Sequence, residues 1–286
     1  MNVKILADSA SDLPLDFFKN SNVTLFPLGV HLDGQDFLDL VSINPGEVYA
    51  KMRNGAAPKT TQVSPHFFKE EFQKLASNKQ SGIYIAFSSE LSGTYQTALM
   101  MKQEVLDEYP DFDLTIIDTK CASLGLGLVV QAAAELATKG ASKEEIINVV
   151  KDKATHMEHI FTVDDLEYLA RGGRVTKTAA FVGSLLNIKP ILNVENGKLI
   201  PLEKIRGKKK VIKRILDIIE ERGTNLEDQT IAISHGDDFE TANEYKRLIE
   251  EKFGCKSVFT NMIGASVGSH AGPGTIAIFF LNQNRS

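Results

Sequence analysis

The chain has 286 residues, 43% of them hydrophobic and 24% charged, which is ordinary globular composition and excludes disordered or collagen-like structure. With 32 Lys and Arg against 37 Asp and Glu, the net charge of −5 excludes bulk nucleic-acid binding, which needs a basic footprint. Two cysteines, Cys121 and Cys255, are too few for a disulfide scaffold and fit a reducing compartment. The N-terminal MNVKILADSASD reaches acidic residues too soon for a signal peptide, and no run of about 20 apolar residues offers a membrane span. The expected location is the cytoplasm.

In chain order, Val3–Ala7 reads as a buried strand that stops at Asp8-Ser9, with a helix after Pro14. Lys59-Thr-Thr-Gln-Val-Ser-Pro65 precedes a helical pattern, with Ser64 expected as its N-cap and Pro65 at the first helical position. Capping leaves Thr60, Thr61 and Gln62 unexplained. Ile83–Phe87 is a second strand, followed by a helix over Ser92–Glu108 that opens with hydroxyls and Gly93. A helix start with unpaired N–H groups is an anion site or an ordinary cap, and spacing alone does not separate the two. Leu114–Ile117 is a third strand ending at Asp118-Thr119, and Leu124–Ala137 is so uniformly apolar that it reads as a buried helix.

Strands alternating with helices imply an α/β unit with a largely parallel sheet. Ligands of such sheets sit beyond the carboxyl ends of the strands, where Asp8-Ser9, Ser88-Ser89 and Asp118-Thr119 are delivered. The pattern then changes. Pro190–Glu195 and Lys198–Glu203 flank Asn196-Gly197, a hairpin signal, and a helix follows over Lys208–Arg222. Gln229–Ser234, Ser257–Ile263 and Thr275–Leu281 read as strands, and Phe239–Phe253 as a helix. This predicts a second α/β domain, α+β-like, with a mixed sheet containing the hairpin. The expected division is residues 1–160 and 161–286, with a ligand at the cleft between them.

No Asp, Glu, Lys or Arg occurs between Ser257 and Asn284, where Gly264, Gly268, Gly272 and Gly274 surround His270. A loop of this kind permits close backbone approach to a ligand. Asp164–Arg174 offers Arg171 and Arg174 around a Gly-Gly turn, suited to carboxylate or phosphate recognition or simply to a helix C-terminus. The basic run Arg206–Lys210 with Lys213 and Arg214 is read as a solvated helix face, with a docking patch for an acidic or phosphate-bearing partner as the alternative. No phosphate loop, dinucleotide fingerprint, zinc spacing or nucleophile elbow is present, and His156 and His159 are weak metal candidates.

Taken in order, Asp8-Ser-Ala-Ser-Asp12, Thr60-Thr-Gln62, Ser88–Thr94, Asp118–Gly127, Asp165–Arg174, Leu186–Pro190 and Gly264–Gly274 resemble the DegV family of bacterial fatty-acid-binding proteins. The resemblance implies two α/β domains with a fatty acid buried between them, and no catalytic residue, metal or cofactor. It puts the ligand carboxylate against Thr60, Ser92 and His270, with Thr61 a close neighbour and Arg171 the nearby cation. It further implies a partner, a separate ATP-dependent fatty acid kinase subunit that converts the presented carboxylate to an acyl phosphate. Thr61-Gln62-Val63 departs from the family's usual Ser-Gln-Pro, keeping the hydroxyl. Ala122–Ala134, Ala179–Leu186 and Thr275–Leu281 are candidate walls of an acyl tunnel. A serine hydrolase or acyltransferase using Ser92 and His270, or a phosphoryl-transfer component for a small substrate, are the alternatives. Peripheral contact with a membrane stays open.

Overall fold

The computed structural model describes residues 3–175 and 188–282. Its strands are β1 (Lys4–Asp8), β2 (Val23–Phe26), β3 (Gly29–Leu32), β4 (Gln35–Leu38), β5 (Lys59–Thr61), β6 (Gly82–Ala86), β7 (Leu114–Asp118), β8 (Met157–Thr162), β9 (Ile188–Glu195), β10 (Lys198–Arg206), β11 (Thr230–His235), β12 (Ser257–Met262) and β13 (Ile276–Leu281). The α-helices are α1 (Leu15–Asn20), α2 (Pro45–Arg53), α3 (Pro65–Ser77), α4 (Thr94–Glu108), α5 (Ser123–Thr138), α6 (Lys143–Thr155), α7 (Glu167–Arg171), α8 (Lys208–Arg222), α9 (Phe239–Phe253) and α10 (Ala265–Ala271).

The first sheet is wholly parallel, in the order β2-β1-β6-β7. Its carboxyl edge gathers the polar strand ends as expected: Asp118 accepts from the Ser89 hydroxyl at 2.6 Å and backbone N–H at 3.2 Å. The second sheet is mixed, in the order β10-β9-β8-β13-β11-β12, with only β11 and β12 parallel. The β9–β10 hairpin turns at Asn196 and Gly197, both at positive φ, the geometry that Asn-Gly favours. The 1–160 division falls inside β8, all of whose residues belong to the second sheet. A third, antiparallel sheet, β4-β3-β5, is an addition that short and partly exposed sequence runs do not announce.

Helix α5 lies between the two large sheets and packs against β1, β6, β8, β11 and β13. That position explains a helix apolar on nearly every side. One apolar cluster therefore runs from Leu6 and Ile85 through Val129 to Phe161, Ala277 and Phe279.

The segment from 257 to 284 proves to be strand, helix and strand. Gly264–Gly274, expected as a loop, contains α10, because Ala265–Ala271 interleaves small residues that let the helix sit close to its neighbours. Tyr49, on α2, fills the space over Gly268 and donates from its hydroxyl to the Ile263 carbonyl at 3.1 Å. Strand β13 lies between β8 and β11 and is buried on both faces, which leaves no place for charge. At the start of α3, Pro65 takes the expected position, but the Ser64 side chain forms no cap hydrogen bond.

Three carboxylates, Asp8, Asp12 and Asp39, are buried near the carboxyl edge of the parallel sheet. Asp8 accepts from the Tyr84 hydroxyl at 2.8 Å and the Phe87 N–H at 2.9 Å. Burial pushes its carboxyl up from 3.8 to about 6, against the effect of these bonds. A carboxyl that holds its proton more tightly when folded favours folding fully below the unfolded value, and that contribution is lost as pH rises through the folded one. Wild-type stability therefore carries a loss between about pH 4 and pH 6 that Asp8→Asn lacks. Denaturant titrations of both proteins at pH 4.5 and pH 7 should show Asp8→Asn gaining on wild type by about 2 kcal/mol at the higher pH.

Candidate functional site

A cavity of about 260 Å³ lies beyond the carboxyl ends of the parallel strands, between the first sheet, α10 and the inner face of the second sheet. Its walls are predominantly apolar, formed by Phe87, Leu91, Phe161, Leu169, Ala277 and Phe279 among others. Strands β8 and β13 supply every second residue, Phe161 from one and Ala277 and Phe279 from the other, as the strand period requires. Of the tunnel walls expected from the sequence, Ala122 and Ser123 line the cavity at the start of α5, as do Thr275, Ala277 and Phe279. Ala179–Leu186, with part of the Leu186–Pro190 motif, lies outside the described residues.

Polar groups converge at one end. Thr60 and Thr61 come from β5, Gln62 follows, Ser92 and Gly93 precede α4, and His270 stands on the last turn of α10. Thr61, Gln62 and Gly93 are also exposed, so this end is the mouth. The Thr60 hydroxyl and His270 Nε2 are 2.7 Å apart. Ser92 Oγ lies 2.9 Å from Thr94 Oγ1 and accepts from the Thr94 N–H at 3.2 Å. The structure thus brings Thr60, Thr61, Ser92 and His270 to one opening.

It does not bring Arg171 there. Arg171 is exposed, with its guanidinium 5.0 Å from the centre of the Tyr168 ring. Arg174 lines the cavity instead. Its Nε and Nη2 donate to the Leu91 carbonyl at 3.0 and 2.9 Å, and Nη1 to the Gly172 carbonyl at 2.6 Å. This ties the α7 turn to the loop before α4 and leaves a half-buried positive charge beside the mouth.

Burial, and then the charge of Arg174, push the His270 imidazolium down to about 4, so the ring is neutral at pH 7. Its Nδ1 is buried without a hydrogen-bond partner. With the proton on Nε2, the ring donates to Thr60 and leaves the Thr60 hydroxyl proton free for another acceptor. Gly172 makes this placement possible, because a β-carbon there would collide with His270 Nδ1.

Several lining residues carry no motif. His159 lies on β8 with Nδ1 3.0 Å from the Met157 carbonyl, and its Nε2 accepts from the Ala122 N–H at 3.1 Å. Alternation along Met157–Thr162 would have placed His159 on the same face as Phe161, whereas its spacing from His156 directs attention to metals. Among the described residues no group of three His, Cys, Asp or Glu is arranged to hold a metal ion, and no helix is long and apolar enough to cross a membrane.

A family model described as an uncharacterised protein of the DegV family matches residues 2–283. The chain belongs to the DegV family. A DegV domain-containing protein of Clostridium perfringens is 40% identical over 284 residues, covering 98% of each chain. Another, from Caldanaerobacter subterraneus, is 35% identical over 278 residues, 97% of this chain and 98% of that one. Among solved structures, a DegV family protein from Thermus thermophilus, described by its fatty acid binding, superposes with a TM-score of 0.89 at 31% identity, covering 99% of this chain and all of that one. DegV of Bacillus subtilis, described as a fatty acid binding protein, gives 0.87 at 27% identity, with 99% and 100% covered. A stearic acid-binding protein of Eubacterium ventriosum gives 0.89 at 26%, with 98% of each covered.

Gly172→Ala tests the packing that holds His270 neutral. The added methyl forces the ring away from Thr60 and toward solvent, so an NMR titration should find the His270 pKa near 4 in wild type and closer to 6.5 in the variant. An unchanged value would show that the ring position does not depend on Gly172.

Proposed function

We propose that this DegV protein binds a long-chain fatty acid, with the carboxylate at the Thr60–His270 mouth and the chain along the apolar walls. The observation that carries the reading is the polarity of the cavity: hydroxyls and one neutral imidazole at an open end, aromatic and aliphatic side chains beyond it. Burial of an acyl chain contributes about 0.8 kcal/mol per methylene, before ordering costs. A carboxylate removed from water must be hydrogen-bonded. Thr60, Thr61, Ser92 and His270 are the donors this reading assigns to it. Arg174 supplies the positive field, while Arg171 lies outside the cavity lining. The solved relatives described as fatty-acid-binding support the same ligand class.

The protein in this reading is a carrier without chemistry or cofactor of its own, working in the cytoplasm. A separate ATP-dependent kinase subunit is its partner, transferring a phosphoryl group to a carboxylate oxygen and releasing ADP. The solvent-facing mouth at Thr61, Gln62 and Gly93 supports such presentation. The hydrolase alternative requires Ser92, His270 and an acid in sequence. Ser92 is bonded to Thr94, His270 Nε2 to Thr60, and Nδ1 meets no acid among the described residues.

Native mass spectrometry of the purified protein should reveal a co-purified fatty acid. His270→Ala and Ser92→Ala should each weaken fatty-acid affinity by about 1–3 kcal/mol, the range for a hydrogen bond to a charged group. A protein that is empty and indifferent to added fatty acid contradicts the reading. Retained binding with no acyl phosphate formed, when an ATP-dependent fatty acid kinase subunit is added, contradicts the partner alone.

A further inference from the structure

A second cavity, of about 410 Å³, abuts the first. Among the described residues the two share only His159 and Val194 in their linings. The character changes across these two side chains. On the mouth side the wall is Phe161 and Phe279; on the far side Asp118, Lys120 and Lys151 stand beside Ile117, Ala154 and Met157, a more polar but still partly apolar surface.

His159 is built as a fixed partition. Its ring is 3% exposed, stands edge-on to Phe279 with centroids 5.3 Å apart, and both nitrogens are committed to backbone groups. The bonds define a neutral ring, with Nδ1–H donating to the Met157 carbonyl and Nε2 accepting from Ala122. Gly125, in the first turn of α5, allows this approach, since a β-carbon there would collide with His159 Nε2 and lie 2.9 Å from Phe279. None of these groups takes part in holding a ligand carboxylate. Their common effect is to close the apolar cavity at the end away from Thr60 and His270.

We propose that His159, with Val194, is the chain-length determinant of this protein: it ends the acyl cavity and separates it from the polar cavity behind. The inference rests on the fatty-acid reading of the mouth and adds which acids fit. Each methylene buried before the partition strengthens binding roughly four-fold. One that has no room before it adds nothing, or must bend the chain. Removing the ring joins the two cavities and lets a longer chain continue. His159→Ala exposes the Ala122 N–H and Met157 carbonyl, but both residues adjoin a cavity, and Met157 lines the polar one, so water can replace the lost partners.

The test is competitive displacement of a fluorescent fatty acid by straight-chain saturated acids that increase by two carbons, on wild type, His159→Ala and Val194→Ala. For wild type, affinity should climb with length and then break. In His159→Ala the break should move to longer acids by at least one step, with the longest acid binding tenfold or more tighter than to wild type and the shortest ones unchanged. Val194→Ala should move the break in the same direction, and carries the test if His159→Ala does not fold. A break at the same length in the folded variants overturns the partition while leaving fatty-acid binding intact. If no acid binds wild type at any length, the reading of the mouth fails and this inference with it. His270→Ala separates the two ends, since it should lower affinity for every acid without moving the break.

Discussion

Two buried carboxylates fix the start of α10, and the position of His270 follows from them. Asp12 accepts from the Gly264 N–H at 2.8 Å and also from the Ser123 hydroxyl, while Asp39 accepts from the Ala265 N–H at 2.9 Å. These bonds run from the N-terminal half of the chain to a helix of the C-terminal half. Burial raises both carboxyls, Asp39 to about 6 and Asp12 well above its ordinary value, and repulsion from Asp39 adds to the cost for Asp12. The N–H groups at the start of α10, the Leu40 N–H and the hydroxyls of Ser9 and Ser123 offset part of that burial. With its first turn held this way and Tyr49 packed over Gly268, α10 has little freedom to rotate. Its last turn therefore presents His270 to Thr60 across the cavity mouth.

The parts of the fold that were legible in the sequence are those that bury a continuous apolar stretch. Strands β1, β6 and β7, helix α5 and the Asn196-Gly197 hairpin all rest on a local pattern strong enough to read directly. The small β4-β3-β5 sheet was not legible, because its strands are short and half-exposed and take their stability from α2 and α10 rather than from their own sequence. Helix α10 was hidden for a different reason. Its glycines serve close packing against Tyr49, which resembles loop composition when read one residue at a time.

The same distinction applies to the site. Thr60, Thr61, Ser92 and His270 stood out because they were polar residues that capping and turns did not need. The choice between Arg171 and Arg174 was beyond sequence, since both flank the same Gly-Gly turn and only the fold decides which one faces inward. In the sequence His159 reads only as a weak metal candidate, because a buried histidine that satisfies two backbone groups leaves no motif. Its environment forces neutrality, with burial pushing the imidazolium down to about 4. The cavity thus has a neutral imidazole at each end and, among the described residues, one lining cation, Arg174, held by main-chain carbonyls.

The hairpin of β9 and β10 also has a bearing on how the cavity comes into being. Its strands pair through a tight turn and can form early, while Val194 and Leu199 become cavity walls only when the turn docks on the first sheet. That docking is marked by the Ser88 hydroxyl, which donates to the Gly197 carbonyl at 2.9 Å across 109 residues of chain. Closing so long a loop costs chain entropy that the local hairpin turn does not. The apolar lining therefore spends the interval before docking open on one side, and a nascent chain is most exposed to wrong partners at the surface that later becomes its most sheltered.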